Sequence, residues 1–414
     1  MSRDFILHVN SCLTPHERVH NASLLFRRGR IAAVGGFSAL RELDDIESVH
    51  LSDCFAVPGL IDTHIHGTGG FDAMDADIDE HLDRMERILV SHGVTAFVPT
   101  LLSNTAERML TLAHSLASLC ERPSPGAIPV GIHVEGPFLN REKRGAQAAN
   151  HIHGVDLGLT RELIAAGNGW IRTMTLAPEL GGSDTLIELL LENDIIPSLG
   201  HSLATGDQAA AAIQAGASRA THLFNGMPPL NQRKTGLTTV GLTEDSVTIE
   251  LIVDGIHVHP SMVDLACRIK PKQRIVGISD ATQGAGLAEG IYHLGQDEIR
   301  ISGGASRRVS DGRLAGSCLT LDTALRNMRQ FTTFSDADAV ACYTCNPAAS
   351  IGLTDRGTLQ PGCRADIVVL DQNWDVQLTI VGGAIVYDRR GVNEELERLC
   401  TPASDPPKQG DPSP

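Results

Sequence analysis

The sequence predicts a (β/α)8 barrel carrying a small β domain built from the two ends of the chain. Three observations lead there. Between Leu60 and Asp280, eight short apolar, β-branched-rich segments recur, most of them separated by helix-like stretches. Residues of metal-ligand type stand at the ends of these segments. The flanks on either side read as short strands and turns instead of βα units.

The eight segments open at Leu60 ("LIDTHIHG"), Val94 ("VTAFVPT"), Pro129 ("PVGIHVEG"), Ile171 ("IRTMTLAPE"), Ile195 ("IIPSLGHS"), Ser218 ("SRATHLFN"), Val247 ("VTIELIVDG") and Arg274 ("RIVGISDA"). Strands alternating with helices over about 250 residues fit a closed parallel barrel. Linkers such as "DEHLDRMERILVSHG" and "DQAAAAIQAGA" carry a closing Gly where a C-cap wants one. The barrel is placed at residues 58 to 356. Residues 1 to 57 and 357 to 395 supply the two parts of a β-sandwich, and the Pro-rich, polar tail 396 to 414 is expected to be disordered.

With 414 residues, 42% of them hydrophobic, and a mean hydropathy near zero, the chain can bury a large core. No apolar run reaches bilayer length and the first residues lack a signal-type segment. The expectation is a soluble, cytoplasmic protein with no membrane partner. Nine scattered cysteines, an odd number, read as reduced thiols. Cys342 and Cys345 form a C-x-x-C with no second pair beside it, and read as helix-packing thiols. A formal charge of −16 argues against nucleic acid as a partner. An anionic substrate would need a local basic pocket.

His64 and His66 stand two apart in a strand, so both imidazoles leave the same face. In a barrel of this type the reactive groups come from the C-terminal strand ends. Those ends bring His64, His66, Glu135, His201, His222, His257 and Asp280 together. Each has a bland reading alone: His201 capping a turn, His222 filling the core, Asp280 capping a helix. Their shared position points to a metal. Imidazole and carboxylate ligands suit one or two divalent ions, zinc first, then iron, manganese or cobalt. Glu135 can bridge two ions, one held with His64, His66 and Asp280, the other with His201 and His222. Such an ion lowers the pKa of its water towards ~7, and Asp280 can act as base and then as acid, so the implied reaction class is hydrolysis. Glu250 and Asp254 read as partners that orient ligand histidines. His151, His153 and His259 are assigned no role. The stretch "GGASRRVSDGRLAGS" lacks phosphate-loop spacing and reads as loop and turns after strand eight.

Taken in order, "PGLIDTHIHG", "HVEGPFLN", "TLAPE", "GHS", "THLFNGM", "VDGIHVHP", "ISDA" and "AGSCLT" resemble the N-acetylglucosamine-6-phosphate deacetylases of the amidohydrolase superfamily. "GTLQPGCRADIVVL" resembles the superfamily's C-terminal segment. The resemblance implies that Glu135, His201 and His222 hold the metal common to all members, that His64 and His66 serve a second ion, and that Asp280 is the catalytic acid and base. It implies a sugar-phosphate substrate bound by His257, Asn225, Gly226 and Arg233, with the Arg supplied by the neighbouring subunit of a homodimer or tetramer. An Arg suits that task because its planar fork matches phosphate.

Two departures stand out. Gln147 occupies the place of a His that in many members contacts the sugar or the acetyl oxygen, and "RKTG", from Arg233 to Gly236, replaces "REPG". The implied reaction is hydrolysis of the acetamide of N-acetylglucosamine 6-phosphate. The galactosamine epimer is the nearest alternative substrate. A cyclic-amide hydrolase fits less well, since strand four lacks a Lys. A non-catalytic sugar-phosphate sensor would have no need of the full donor set.

Overall fold

The computed structural model describes residues 4–14, 17–36, 46–75 and 78–393. The tail expected from residue 396 lies outside them.

Each of the eight segments contains a barrel strand: Leu60–Ile65, Val94–Leu102, Ile132–Glu135, Ile171–Leu176, Ile196–Leu199, Arg219–Ala220, Thr248–Ile252 and Ile275–Ile278. Each runs parallel to the next. The last strand returns to the first, where the Asp280 amide donates to the His64 carbonyl at 2.9 Å. Asp62 secures the same seam, its Oδ1 accepting from the amides of His64 and Ser279, each at 3.3 Å. Burial pushes the Asp62 carboxyl up to about 6.

The strands are apolar on both faces because helices cover the outside and side chains fill the inside; Val94–Leu102 is buried along its whole length. The helix Ala106–Glu121 shows how a cover element is made. Thr105 caps it by accepting from the Arg108 amide at 3.3 Å. Met109, Leu112, Ala113 and Leu116 then recur at helical spacing and bury one face against the barrel. Each large side chain among them contributes about 1.5–3 kcal/mol on burial. The helix Ile78–Ser91 stops before Gly93, whose φ of 76° suits the left-handed turn read from the sequence.

The two chain ends meet in one sheet of seven strands. Its order is Ala384–Asp388, Val376–Val381, Ile367–Leu370, Ser48–Pro58, Phe5–Leu13, Arg18–Arg27 and Arg30–Gly36. Ser48–Pro58 joins the halves, antiparallel to Ile367–Leu370 and parallel to Phe5–Leu13. A core of its own includes Phe5, Leu7, Leu24, Phe26, Ile367 and Leu378. Only Gly59 separates Ser48–Pro58 from the first barrel strand, so this sheet sets where the barrel begins.

Beyond the eighth strand the chain forms a three-stranded antiparallel sheet, Gly290–Leu294, Asp297–Ser302 and Ala305–Arg308. The sequence reading had loop and turns over part of this region. The strands are short, and although Ile299 and Ile301 alternate with exposed residues, that stretch spans only six residues amid glycines and charged residues. Cys342 is buried just after the helix Asp336–Ala341, and Cys345 opens the helix Cys345–Ser350. Among the described residues no helix is long and apolar enough to cross a membrane.

Candidate metal centre

Six donors converge on the C-terminal rim, all buried: His64, His66 and Asp280 in one group, Glu135, His201 and His222 in the other. Glu135 Oε1 lies 3.0 Å from Nε2 of both His201 and His222, and those two nitrogens are 3.1 Å apart. Asp280 Oδ1 lies 3.1 Å from His66 Nε2 and 3.5 Å from His64 Nε2. Glu135 also faces the first group, at 3.5 Å from His66 and 3.7 Å from His64. It therefore stands between the two groups, as a bridging carboxylate would.

Backbone strain marks the same residues. His201, His222 and Asp280 have φ of 47°, 30° and 49°. Left-handed conformations in non-glycine residues are costly and concentrate at functional sites. Glu179 braces the turn after strand five: it accepts from Asn140 Nδ2 at 2.8 Å, Ser202 Oγ at 2.7 Å and the Leu203 amide at 2.6 Å.

The outward ring nitrogens of three histidines are occupied. His64 Nδ1 meets Glu250 at 3.0 Å, His66 Nδ1 the Thr100 carbonyl at 3.2 Å, and His201 Nδ1 the Lys143 carbonyl at 2.7 Å. With Nδ1–H donated, Nε2 keeps a lone pair aimed into the cluster. His64 Nε2 is buried there with no hydrogen-bond partner among the described residues. An orphaned nitrogen in a ring of imidazoles and carboxylates fits a divalent cation.

The electrostatics agree. Burial alone would raise the Glu135 carboxyl, but the charges and hydrogen bonds of His201 and His222 hold it well below the usual carboxylate range. Burial likewise opposes a charged His66 ring, yet the hydrogen bond to Asp280 and the field of Glu135 raise its pKa. Negative carboxylates in a dry pocket are a site that a cation would neutralise.

Above the donors lies a cavity of about 190 Å³, lined by His66, Glu135, Gln147, His201, His222, Asn225, Gly226, His257 and Asp280. His257 Nδ1 meets Asp254 Oδ2 at 2.6 Å, leaving Nε2 as the nitrogen free to meet a ligand. Glu250 thus meets a donor histidine, His64, as expected, whereas Asp254 holds His257, which lies in neither donor group. Gln147 lines the cavity but spends its amide on protein: Nε2 donates to Glu135 Oε2 at 2.7 Å and Oε1 accepts from the Ser103 amide at 2.8 Å. Arg233 lies elsewhere, in an exposed loop where Asn231 Oδ1 accepts from its amide at 2.8 Å.

Two glycines shape the cavity wall. Gly226 has φ 62° and an added Cβ would sit 3.1 Å from His201 Nδ1; Gly316, at φ 50°, would press Thr282 at 2.4 Å and the Asp280 carbonyl at 3.0 Å. The sequence reading missed the apolar wall of Leu102, Ala146, Leu294 and Leu314. It also missed Glu179 and Arg219. Glu179 closes the TLAPE motif without a role having been read from it, and nothing in the local sequence separates Arg219 from a surface residue.

A closed parallel barrel with histidines and carboxylates gathered at its C-terminal rim defines the class of metal-dependent barrel hydrolases. The Amidohydrolase family model matches residues 55–386. The chain is 34% identical over 403 residues to N-acetylglucosamine-6-phosphate deacetylase of Bacillus subtilis (strain 168), covering 96% of this chain and 100% of that one. It is 37% identical over 329 residues to N-acetylgalactosamine-6-phosphate deacetylase of Escherichia coli O157:H7, covering 79% and 86%. Among solved structures, a mutant N-acetyl-D-glucosamine-6-phosphate deacetylase of Mycobacterium smegmatis in complex with N-acetyl-D-glucosamine 6-phosphate matches with a TM-score of 0.87 and 31% identity, over 93% of this chain and 99% of that chain. The chain belongs to the amidohydrolase family, and within it to the N-acetylglucosamine-6-phosphate deacetylases.

Proposed function

We propose that this chain hydrolyses the acetamide of N-acetyl-D-glucosamine 6-phosphate, releasing D-glucosamine 6-phosphate and acetate. The observation that carries the reading is the convergence of six donors, Asp280 among them, on one buried rim beneath an open cavity. Glu135, His201 and His222 would hold one divalent ion, zinc first, and His64, His66 and Asp280 a second. A bound ion would supply a Lewis acid for the amide carbonyl and a lower pKa for the attacking water.

The chain's own groups do the rest. The Asp280 carboxylate takes the proton of the attacking water and hands it to the departing nitrogen, since an amine leaves poorly without one. His257, fixed through Asp254, with Asn225 and Gly226, binds the sugar phosphate and so places the amide over Asp280, using binding energy remote from the reacting bond. Leu102, Leu294 and Leu314 give the chamber an apolar side beside its polar groups. Arg233, exposed and away from the cavity lining, is assigned to the phosphate of a neighbouring subunit in a homodimer.

The second reading is the same reaction on the galactosamine epimer, favoured by the 37% identity to the Escherichia coli O157:H7 relative. Acetate release by purified protein, stripped and reloaded with Zn²⁺, Fe²⁺, Mn²⁺ or Co²⁺, separates the two. Turnover of the glucosamine epimer that is lost without the 6-phosphate is the expected outcome. Preference for the galactosamine epimer would transfer the mechanism to that substrate, and folded, metal-loaded protein that releases no acetate would refute both.

A further inference from the structure

Beneath the rim lies a second charged assembly. Glu250, in the seventh strand, and Arg219, in the sixth, are both buried. Arg219 Nε donates to Glu250 Oε1 at 2.8 Å. Its other nitrogens reach the Ser350 hydroxyl at 3.1 Å and the Thr63 hydroxyl at 2.5 Å, the latter on the residue next to His64. Glu250 Oε2 then accepts twice, from His64 Nδ1 at 3.0 Å and from the His222 backbone amide at 3.1 Å. One carboxylate oxygen thus holds a member of each donor group, His64 by its ring and His222 by its strained backbone.

We infer that Glu250, gripped by Arg219, is a positioning residue that clamps the two metal-binding groups together, so that the affinity of every ion taken up depends on this one carboxylate. The inference rests on the metal-dependent reading above. Its physical basis is the count of acceptors. Three donors arrive from two sides: Arg219 Nε on one oxygen, His64 Nδ1 and the His222 amide on the other. Only an ionised carboxylate presents acceptors on both sides; an amide always turns its NH2 towards one set of donors. Losing the clamp frees the His64 ring to adopt its other tautomer, which puts a hydrogen on Nε2 in place of the lone pair. It also leaves the His222 turn without the bond that fixes its amide.

The test compares the native protein with Glu250→Gln and Glu250→Asp. The first removes the charge. The second keeps it but retracts the carboxylate by one methylene, so it cannot span Arg219 and His64. Zn²⁺ and Co²⁺ affinities are read by chelator competition, with circular dichroism and thermal unfolding reporting the folded fraction. Glu250→Gln leaves Arg219 unpaired in the interior and risks unfolding; the Asp variant keeps the ion pair's charge balance and carries the test in that event. Every ion bound by the native protein is expected to bind about 10- to 100-fold more weakly in the folded variants. Glu86→Gln, at a buried acid bonded to Ser124 and Arg122 outside the site, is expected to bind ions with native affinity. Native affinity in the Glu250 variants, or a loss confined to one of two ions, overturns the clamp alone. A native protein that takes up no ion overturns the metal reading itself and the clamp with it.

Discussion

The two donor groups on the rim are built differently. Glu135, His201 and His222 meet within 3.0–3.1 Å, and the two histidines reach that convergence only through left-handed backbone. His64 and His66 need no such distortion, since strand alternation alone sends them to one face, and they stand 3.1–3.5 Å from Asp280 and 3.5–3.7 Å from Glu135. Strain thus falls on both histidines of the tighter group and, in the other group, on Asp280 alone. The looser group contains Asp280, the residue proposed above to carry the proton.

The sharpest way to break this comparison is to change Asp280. Asp280→Asn is expected to lower kcat by on the order of 10²–10⁴, while the ion held by Glu135, His201 and His222 stays bound, read by acetate release and elemental analysis on the same sample. Loss of that ion together with activity would mean the two groups are not distinct. Glu135 faces both, so Glu135→Gln should empty both, whereas His222→Asn should cost the tight ion and His66→Asn only the looser one. Identical metal content in the two histidine variants would show the two groups to hold their ions equally.

Metal removal comes next in size. An ion present at about a thousand times its Kd stabilises the fold by about 4 kcal/mol, so a chelator should lower Tm and the added ion should restore it. The histidine variants should divide that loss unequally, His222→Asn taking the larger share. The smallest effect is expected from Gln147→Ala, which removes one hydrogen bond to Glu135 Oε2 and should weaken ion binding by about 10-fold. A larger rise in KM than in metal Kd would return Gln147 to the substrate-contact role that the family resemblance implies.

Most of this architecture was legible in the chain. Val94–Leu102 and Thr248–Ile252 announce themselves because a strand buried on both faces is mostly apolar and β-branched, with Glu250 and the threonines as the polar exceptions. The six donors were legible for a related reason: charged and imidazole groups ending apolar runs are conspicuous. What escaped depended on distant partners. Arg219 becomes meaningful only when Glu250, Thr63 and Ser350 surround it, and Glu179 only when the His201 turn folds onto it. The strands between Gly290 and Arg308 pair with one another and bury only a few large apolar residues, Leu294, Ile299 and Ile301, too short a pattern to stand out in the sequence. The Leu294 and Leu314 wall comes from the segment after the eighth strand, and only the fold turns it over the donors.

The seam where the eighth strand returns to the first has a consequence for how activity appears during synthesis. Asp280 bonds to His64 across 216 positions of chain, and the last strand of the sheet that launches the barrel is not made until residue 388. Contacts of such long range form late and slowly. Asp280 and the strand that ends beside His64 are therefore joined by a long-range closure, and a chain without the eighth strand lacks one side of the donor cluster.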